Sequence, residues 1–276
     1  MAVLGTGLMG SSIATLLRKY RYPVRCFDAG SRPSVQGDSG LVICDSIGDA
    51  VRDAFLVIEA VFEDIGVKQD VYREVEQHNT IAPIASNTSS LVPSLLSAAM
   101  DSPERLVVAH FFNPADLVPL VELVPHPGSS ADAVETVRCV LESMDRTVIS
   151  LDRECPGFVA NRLQAAIVRE ALALVAEGIA TPEMIDTAVT SCLGARWAVA
   201  GPLRTIDSAG LDVWQAICAQ LFPILSAVNT RSRAIDELVS RGRLGMKAGE
   251  GFFEYTEEDV AAHRSRLELT LRRPTI

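Results

Sequence analysis

The sequence predicts an α/β protein: a Rossmann-like, doubly wound sheet followed by an all-α C-terminal domain. Three observations carry this expectation. Short apolar runs alternate with amphipathic stretches through the first half of the chain, the rhythm of parallel strands joined by helical crossovers. The first of these runs leads directly into Gly5-Thr6-Gly7-Leu8-Met9-Gly10. From Pro156 onward the strand patterns stop, and apolar residues recur at helical spacing.

Strands are predicted at 2–4, 24–27, 41–44, 56–59, 84–87, 107–110, 118–124 and 147–151. Between them, 9–20 gathers Met9, Ile13, Leu16, Leu17 and Tyr20 on one helical face, and 67–77 reads as a second helix. In the second half, Phe158, Val159, Leu163, Ala166, Ile167, Leu174 and Val175 mark one long helix that Gly178 stops. Thr181-Pro182 restarts a helix as an N-cap followed by proline at the first helical position. The domains are therefore expected at 1–153 and 154–276, with 154–156 as the hinge.

A chain of 276 residues exceeds the common single-domain size, which agrees with two domains. The net charge of −10 argues against a general binder of nucleic acid or anionic membrane, because both demand a positive field. Basic residues still gather late in the chain, at Arg231, Arg233, Arg241, Arg243, Lys247, Arg264, Arg266, Arg272 and Arg273, and read as solvated helix faces. The six cysteines show no zinc-ligand spacing, and Cys26 falls in an apolar strand pattern. Reduced thiols, no secretory leader and no apolar run of bilayer length together predict a cytoplasmic protein.

The glycine segment follows a strand and opens a helix, the context that gives such a motif meaning. Gly5 makes the tight turn, Gly7 lets the backbone approach a pyrophosphate, and Gly10 packs helix on strand. Free N–H groups at the helix start receive the negative charge. The next strand ends at Asp28, 18 positions after Gly10. A carboxylate there accepts hydrogen bonds from ribose hydroxyls and repels a 2′-phosphate, so NAD is predicted over NADP. Arg32 is a nearby cation that could hold such a phosphate.

Of the four histidines, His78 and His263 lie on polar helical stretches and His126 between two prolines. His110 ends an apolar strand, at the edge where open parallel sheets bind ligands. Glu122 sits inside Val118-Pro119-Leu120-Val121-Glu122-Leu123-Val124, where an unpaired carboxylate is costly. A turn at 113–116 brings this strand back beside His110. Imidazole and carboxylate together make a general base with its orienter, able to take a hydroxyl proton as hydride leaves for a nicotinamide. Ser86-Asn87-Thr88-Ser89-Ser90 and Asn161 offer further polar groups near the same edge.

These residues together resemble the 3-hydroxyacyl-CoA dehydrogenase family. The likeness runs nearly end to end through GTGLMGSSIA, LVIEAVFEDIGVKQDVYREVE, ASNTSSL, HFFNPADLVPLVELV, PGFVANRLQAAIVREALALVAEGIA, GPLRTIDSAGLDV and LGMKAGEGFFEY. It implies His110 as catalytic base with Glu122 as its partner, and Ser89 and Asn161 holding the substrate oxygen. It implies cofactor contacts from Gly5, Thr6, Gly7, Leu8, Met9, Gly10, Asp28, Glu63, Lys68, Ser89, Asn113 and Lys247, and a homodimer formed through the helical domain. One departure stands out. Only 31 positions separate Asp28 from Glu59, and residues 29–49 are too few for the helical hairpin with which CoA-using relatives hold CoA.

Three substrates follow from the resemblance. The first is a hydroxyacyl group on an acyl carrier protein, as in the glyceryl-carrier-protein oxidation that makes hydroxymalonyl or methoxymalonyl extender units for polyketides. The second is 3-hydroxybutyryl-CoA, and the third a free hydroxy acid of the L-gulonate type. An NAD-binding structural or redox-sensing protein is the non-enzyme alternative.

Overall fold

The computed structural model describes residues 1–30 and 40–271, and it divides into two compact units, Met1–Asn161 and Arg162–Ile276. Arg32, Arg272 and Arg273 lie outside the described residues.

The first unit holds one eight-stranded sheet: β1 (Ala2–Leu4), β2 (Val24–Phe27), β3 (Leu41–Ile43), β4 (Val57–Glu59), β5 (Ile84–Ser86), β6 (Leu106–Phe111), β7 (Leu120–Val124) and β8 (Thr147–Ser150). Their order is β3-β2-β1-β4-β5-β6-β7-β8. Every neighbouring pair is parallel except β6 and β7. Strand order runs outward from β1 in both directions, so a crevice opens beyond the carboxyl ends of β1 and β4. The expected third strand forms despite the short stretch before it, pairing Val24 with Leu41 and Cys26 with Ile43.

Among the described residues, five helices cover this sheet: α1 (Leu8–Lys19), α2 (Ile47–Val51), α3 (Ile65–His78), α4 (Pro93–Ser97) and α5 (Ala131–Ser143). α1 buries Ile13, Ala14, Leu16 and Leu17, the face that its spacing predicts. Two cores result, one on each face of the sheet. Ile13, Leu17, Cys26, Val107 and Leu123 belong to one, and Leu4, Tyr72, Ile84, Val108 and Phe158 to the other. Residues two apart along a strand share a face, so neighbours such as Val107 and Val108 feed opposite cores.

α3 starts two residues before the expected position because Asp64 caps it, accepting a hydrogen bond from the Val67 N–H. The short α2 and α4 were not anticipated. Ser46 caps the first, and the second begins with Pro93. α6 (Ala160–Ala176) begins later than the sequence pattern suggests. Phe158 stands before it in the left-handed region (φ 51°) with its ring buried in the sheet core, so its apolar periodicity reported burial rather than helix.

The second unit continues α6 and adds α7 (Pro182–Ala188), α8 (Ala195–Trp197), α9 (Pro202–Ala209), α10 (Leu211–Leu221), α11 (Arg233–Ser240) and α12 (Glu257–Leu271). Gly178 (φ 70°) ends the chain's first long helix of this unit, and the Thr181 hydroxyl caps α7. Among the described residues of this unit only Thr205 and Gly251 are buried. No helix among the described residues is long and apolar enough to cross a membrane.

Asn79 locks the end of α3 to the end of α2 and the loop that follows it. Its amide donates to the carbonyls of Val51 (2.7 Å) and Ala54 (2.9 Å) and accepts from the N–H groups of Ile81 and Ala82. Replacing it with alanine strands several of these groups. Asn79→Ala should therefore lower the unfolding free energy by about 2–4 kcal/mol, read from urea denaturation.

Candidate active site

The antiparallel pairing of β6 with β7 builds the centre of the site. Its register sets His110 directly opposite Glu122. Residues opposed in an antiparallel pair project to the same face with their Cβ atoms close together. The His110 Nδ1 and Glu122 Oε2 atoms accordingly lie 2.8 Å apart, with both side chains buried. The other Glu122 oxygen accepts two backbone N–H groups, from Val159 and Ala160, each at 2.9 Å. These are orphan donors at the start of α6, whose dipole favours a negative charge there.

Burial by itself would raise the Glu122 carboxyl. The His110, Ala160 and Val159 hydrogen bonds outweigh it and hold the group below the ordinary glutamate range. The His110 ring packs between Phe112, 4.4 Å between centroids, and Phe158 at 5.5 Å. In a neutral ring, a carboxylate accepting at Nδ1 places the proton on that nitrogen and leaves the lone pair on Nε2, which has no protein partner among the described residues.

His110 lines a cavity of about 440 Å³ together with Met9, Glu63, Asn87, Ser89, Asn113 and Asn161. Asn87 ties two of the strand ends together, since its side chain accepts the Phe111 N–H at 3.0 Å. Asn161 donates to the Ser89 carbonyl at 3.1 Å, while Ser89 gives its N–H to Glu63. The geometry thus gathers His110, Glu122, Ser89, Asn161, Glu63 and Asn113 at one place.

Lys68 differs from the rest. It is only 1% exposed, and its ammonium meets Glu59 at 2.7 Å and Glu63 at 3.2 Å. It does not line the cavity itself and reaches the wall through Glu63 and the Val61 carbonyl. Sequence reasoning passed over Glu59, although a carboxylate ending the apolar run Phe55-Leu56-Val57-Ile58 gives the signal that singled out Glu122. Lys247 belongs to the second unit, in the short turn Met246–Ala248. The other histidines stand apart: His78 and His263 are exposed, and His126 is bound to the Pro103 carbonyl.

The glycine turn fits a dinucleotide. Gly5 takes φ 84°, and a Cβ there would lie 2.5 Å from the Ala60 carbonyl oxygen. A Cβ on Gly10 would lie 1.8 Å from the Gly5 oxygen, whereas one on Gly7 meets nothing within 4 Å. Gly7 therefore leaves open space at the N-terminus of α1, where no side chain caps the helix and no acid occupies the first turn. Asp28 lies at the end of β2 and is held by the Thr6 N–H (2.5 Å) and hydroxyl (3.0 Å). The residues present thus supply what a pyrophosphate and an unphosphorylated ribose require.

Comparison with known proteins agrees with this geometry. Residues 39–155 match the model for the 3-hydroxyacyl-CoA dehydrogenase NAD binding domain, and residues 157–255 that for the C-terminal domain of the same enzymes. Across 301 aligned positions the chain is 33% identical to a 5-formyl-3-hydroxy-2-methylpyridine 4-carboxylate 5-dehydrogenase of Mesorhizobium japonicum, covering 99% of this chain and 97% of that protein. The chain belongs to the 3-hydroxyacyl-CoA dehydrogenase family.

It is an NAD-dependent dehydrogenase acting on a CH–OH group, as that membership entails. A crystal structure of a 5-formyl-3-hydroxy-2-methylpyridine 4-carboxylic acid 5-dehydrogenase, described as an NAD+-dependent dismutase, superposes with a TM-score of 0.90 at 32% identity, over 98% of this chain and 95% of that one. An L-carnitine dehydrogenase of Oceanobacillus iheyensis is 42% identical over 184 residues, 66% of this chain and 59% of that one. A 3-hydroxyacyl-CoA dehydrogenase of Archaeoglobus fulgidus gives a TM-score of 0.73 at 30% identity, over 98% and 97% of the two chains.

The depressed Glu122 pKa has a consequence for stability. A carboxyl whose folded value lies below its unfolded one stabilises the fold fully above the unfolded value, about 4.3. That stabilisation is lost as pH falls through the folded value. Glu122→Gln lacks the titration, so its stability deficit at neutral pH should narrow as pH falls below about 4.3, read from denaturant midpoints.

Proposed function

We propose that His110 and Glu122 form a catalytic dyad that oxidises a hydroxyl β to a carboxyl or carboxyl-derived carbonyl. The 2.8 Å contact between the two, with Nε2 left as a base, carries this reading. The Nε2 lone pair takes the hydroxyl proton while the hydrogen on the same carbon departs as hydride and a carbonyl forms. Bound NAD supplies the hydride acceptor. Glu122 keeps the reactive tautomer in place and balances the imidazolium that results. The Ser89 hydroxyl and the Asn161 amide hold the substrate oxygen, both being on the same cavity. Gly5, Thr6, Gly7, Leu8, Met9, Gly10 and Asp28 take the adenosine and pyrophosphate, and Glu63, Ser89 and Asn113 the other end.

For the substrate, a small free hydroxy acid ranks first. In support, two relatives named above act on small unconjugated molecules, a pyridine carboxylate and carnitine, and one of them aligns over nearly the whole chain. The short stretch 29–49 leaves few residues for holding a CoA nucleotide. A hydroxyacyl group on an acyl carrier protein is the second reading. It draws on the same short stretch and on a cavity of the helical unit, about 780 Å³, whose charged lining is Arg162, Arg169, Arg231 and Arg233. An acidic carrier surface would complement it.

A homodimer belongs to the same proposal. The helical unit exposes Met184, Val199, Phe222 and Ile224 by 60% or more and buries almost nothing. A unit of this size without a core of its own needs a covering surface, and a second copy supplies one. Light scattering of the purified protein should give twice the chain mass; a monomer at micromolar concentration would refute this part.

His110→Gln should keep NAD affinity nearly intact and cut turnover by roughly two to four decades. Unchanged turnover would remove His110 from the chemistry. NADH formation should be followed with one hydroxyacyl group offered as free acid, on CoA and on carrier protein. The free acid is expected to give the highest kcat/KM; a clear preference for the carrier-bound form would reverse the ranking. Asp28→Ala should raise activity with NADP relative to NAD, and an unaltered ratio would remove Asp28 from cofactor choice.

A further inference from the structure

Behind the cavity lies a buried polar network that the chemistry above does not use. Glu59, at the end of β4, is fully buried. Four donors converge on its carboxylate: Lys68 Nζ (2.7 Å), the Val61 N–H (2.8 Å), the Tyr72 hydroxyl (2.6 Å) and the Ser86 hydroxyl (2.7 Å). A group that accepts four hydrogen bonds is an ionised carboxylate, since a protonated one would have to donate. The Tyr72 phenol keeps its proton, because burial and the Glu59 charge both push its pKa upward. Lys68 then links inward to Glu59 and outward, at 3.2 Å, to Glu63.

The charges in this row do not cancel. Lys68 brings one positive charge, and Glu59 and Glu63 bring two negative ones. Glu63 is the outermost member, 37% exposed at its side chain and part of the cavity wall. Thr88 and Ser90 hydroxyls and the Ser89 N–H fix it in place. Among the described residues lining that cavity, Glu63 is the only one with a fixed charge. Glu122, the other nearby carboxylate, lies behind the His110 ring, hydrogen-bonded to it and to the start of α6, and does not line the cavity.

We propose that Glu59, Lys68 and Glu63 act together to leave one net negative charge on the cavity wall, and that this charge selects the oxidised nicotinamide, a cation, over the neutral reduced one. Glu59 and Lys68 are positioning residues in this scheme. Glu59 neutralises Lys68 from inside, so that Lys68 can anchor Glu63 without cancelling it. The inference rests on the reading that the hydride acceptor lies in the cavity with His110.

The two cofactor forms share every contact except those that sense the ring's charge. Loss of local structure weakens both alike, whereas loss of the charge weakens the oxidised form selectively. The measurement is the pair of dissociation constants for NAD+ and NADH, by calorimetry and by NADH fluorescence, on the full-length protein without substrate. Glu63→Gln should raise the ratio Kd(NAD+)/Kd(NADH) on the order of tenfold, as expected for one charge at several ångströms in a partly screened site. Glu59→Gln lets Lys68 cancel Glu63 and should raise the ratio in the same direction without changing any side chain that lines the cavity. Glu63→Asp keeps the charge and should hold the ratio within about twofold of the original, which covers the case in which Glu59→Gln fails to fold.

Equal weakening of both forms by Glu63→Gln would overturn the charge proposal and leave the placement of the ring standing. No change in either constant would overturn the proposal by way of its premise, because the ring would then lie elsewhere.

Discussion

A carboxylate buried between two strands is the constraint on which the rest of this structure depends. Glu122 has no exposure to water, so its charge survives only where donors are fixed around it. One donor is an imidazole on the neighbouring strand, and two are main-chain N–H groups where α6 begins. The residue therefore does three things at once. It selects the histidine tautomer, satisfies the start of a 17-residue helix, and pins the end of the segment leading out of the sheet. Tautomer choice and fold meet in the same three hydrogen bonds.

The parts of the fold that could be read from the sequence share one property: their determinants are local or periodic. The face of α1, the alternation of strands and helices, the glycine turn and the Thr181-Pro182 restart all have signatures within a few residues. The His110–Glu122 pair was legible because an acid in an apolar strand demands a partner and a turn supplied one. The same logic applied to Glu59, but its partners lie on the polar-looking α3, where Lys68 and Tyr72 share a face at a spacing of four. Nothing in the composition of that helix announces that a lysine is buried. α2 and α4 are five residues each, too short to show a period, and rest on Ser46 and on Pro93. Phe158 misled for a related reason, since apolar spacing records which side chains are buried and not the backbone that carries them.

The family match and the site geometry reach the same conclusion by different routes. The matched region begins at residue 39 and so leaves out the glycine turn, Asp28 and the whole of α1. The case for a dinucleotide at that end rests on backbone geometry instead. A side chain at Gly5 or Gly10 would collide with main-chain oxygens, and open space lies over Gly7.

The reversal between β6 and β7 also limits how the protein can vary. Side chains alternate between the two faces of a strand with a period of two, and the pairing of His110 with Glu122 fixes which face each one takes. Sliding β7 by a single position would turn Glu122 towards the opposite core and bring Val121 or Leu123 against the imidazole. The connection running through Asn113 and Pro114 is thus subject to a parity rule. A change in its length preserves the pair only where it leaves that register in place.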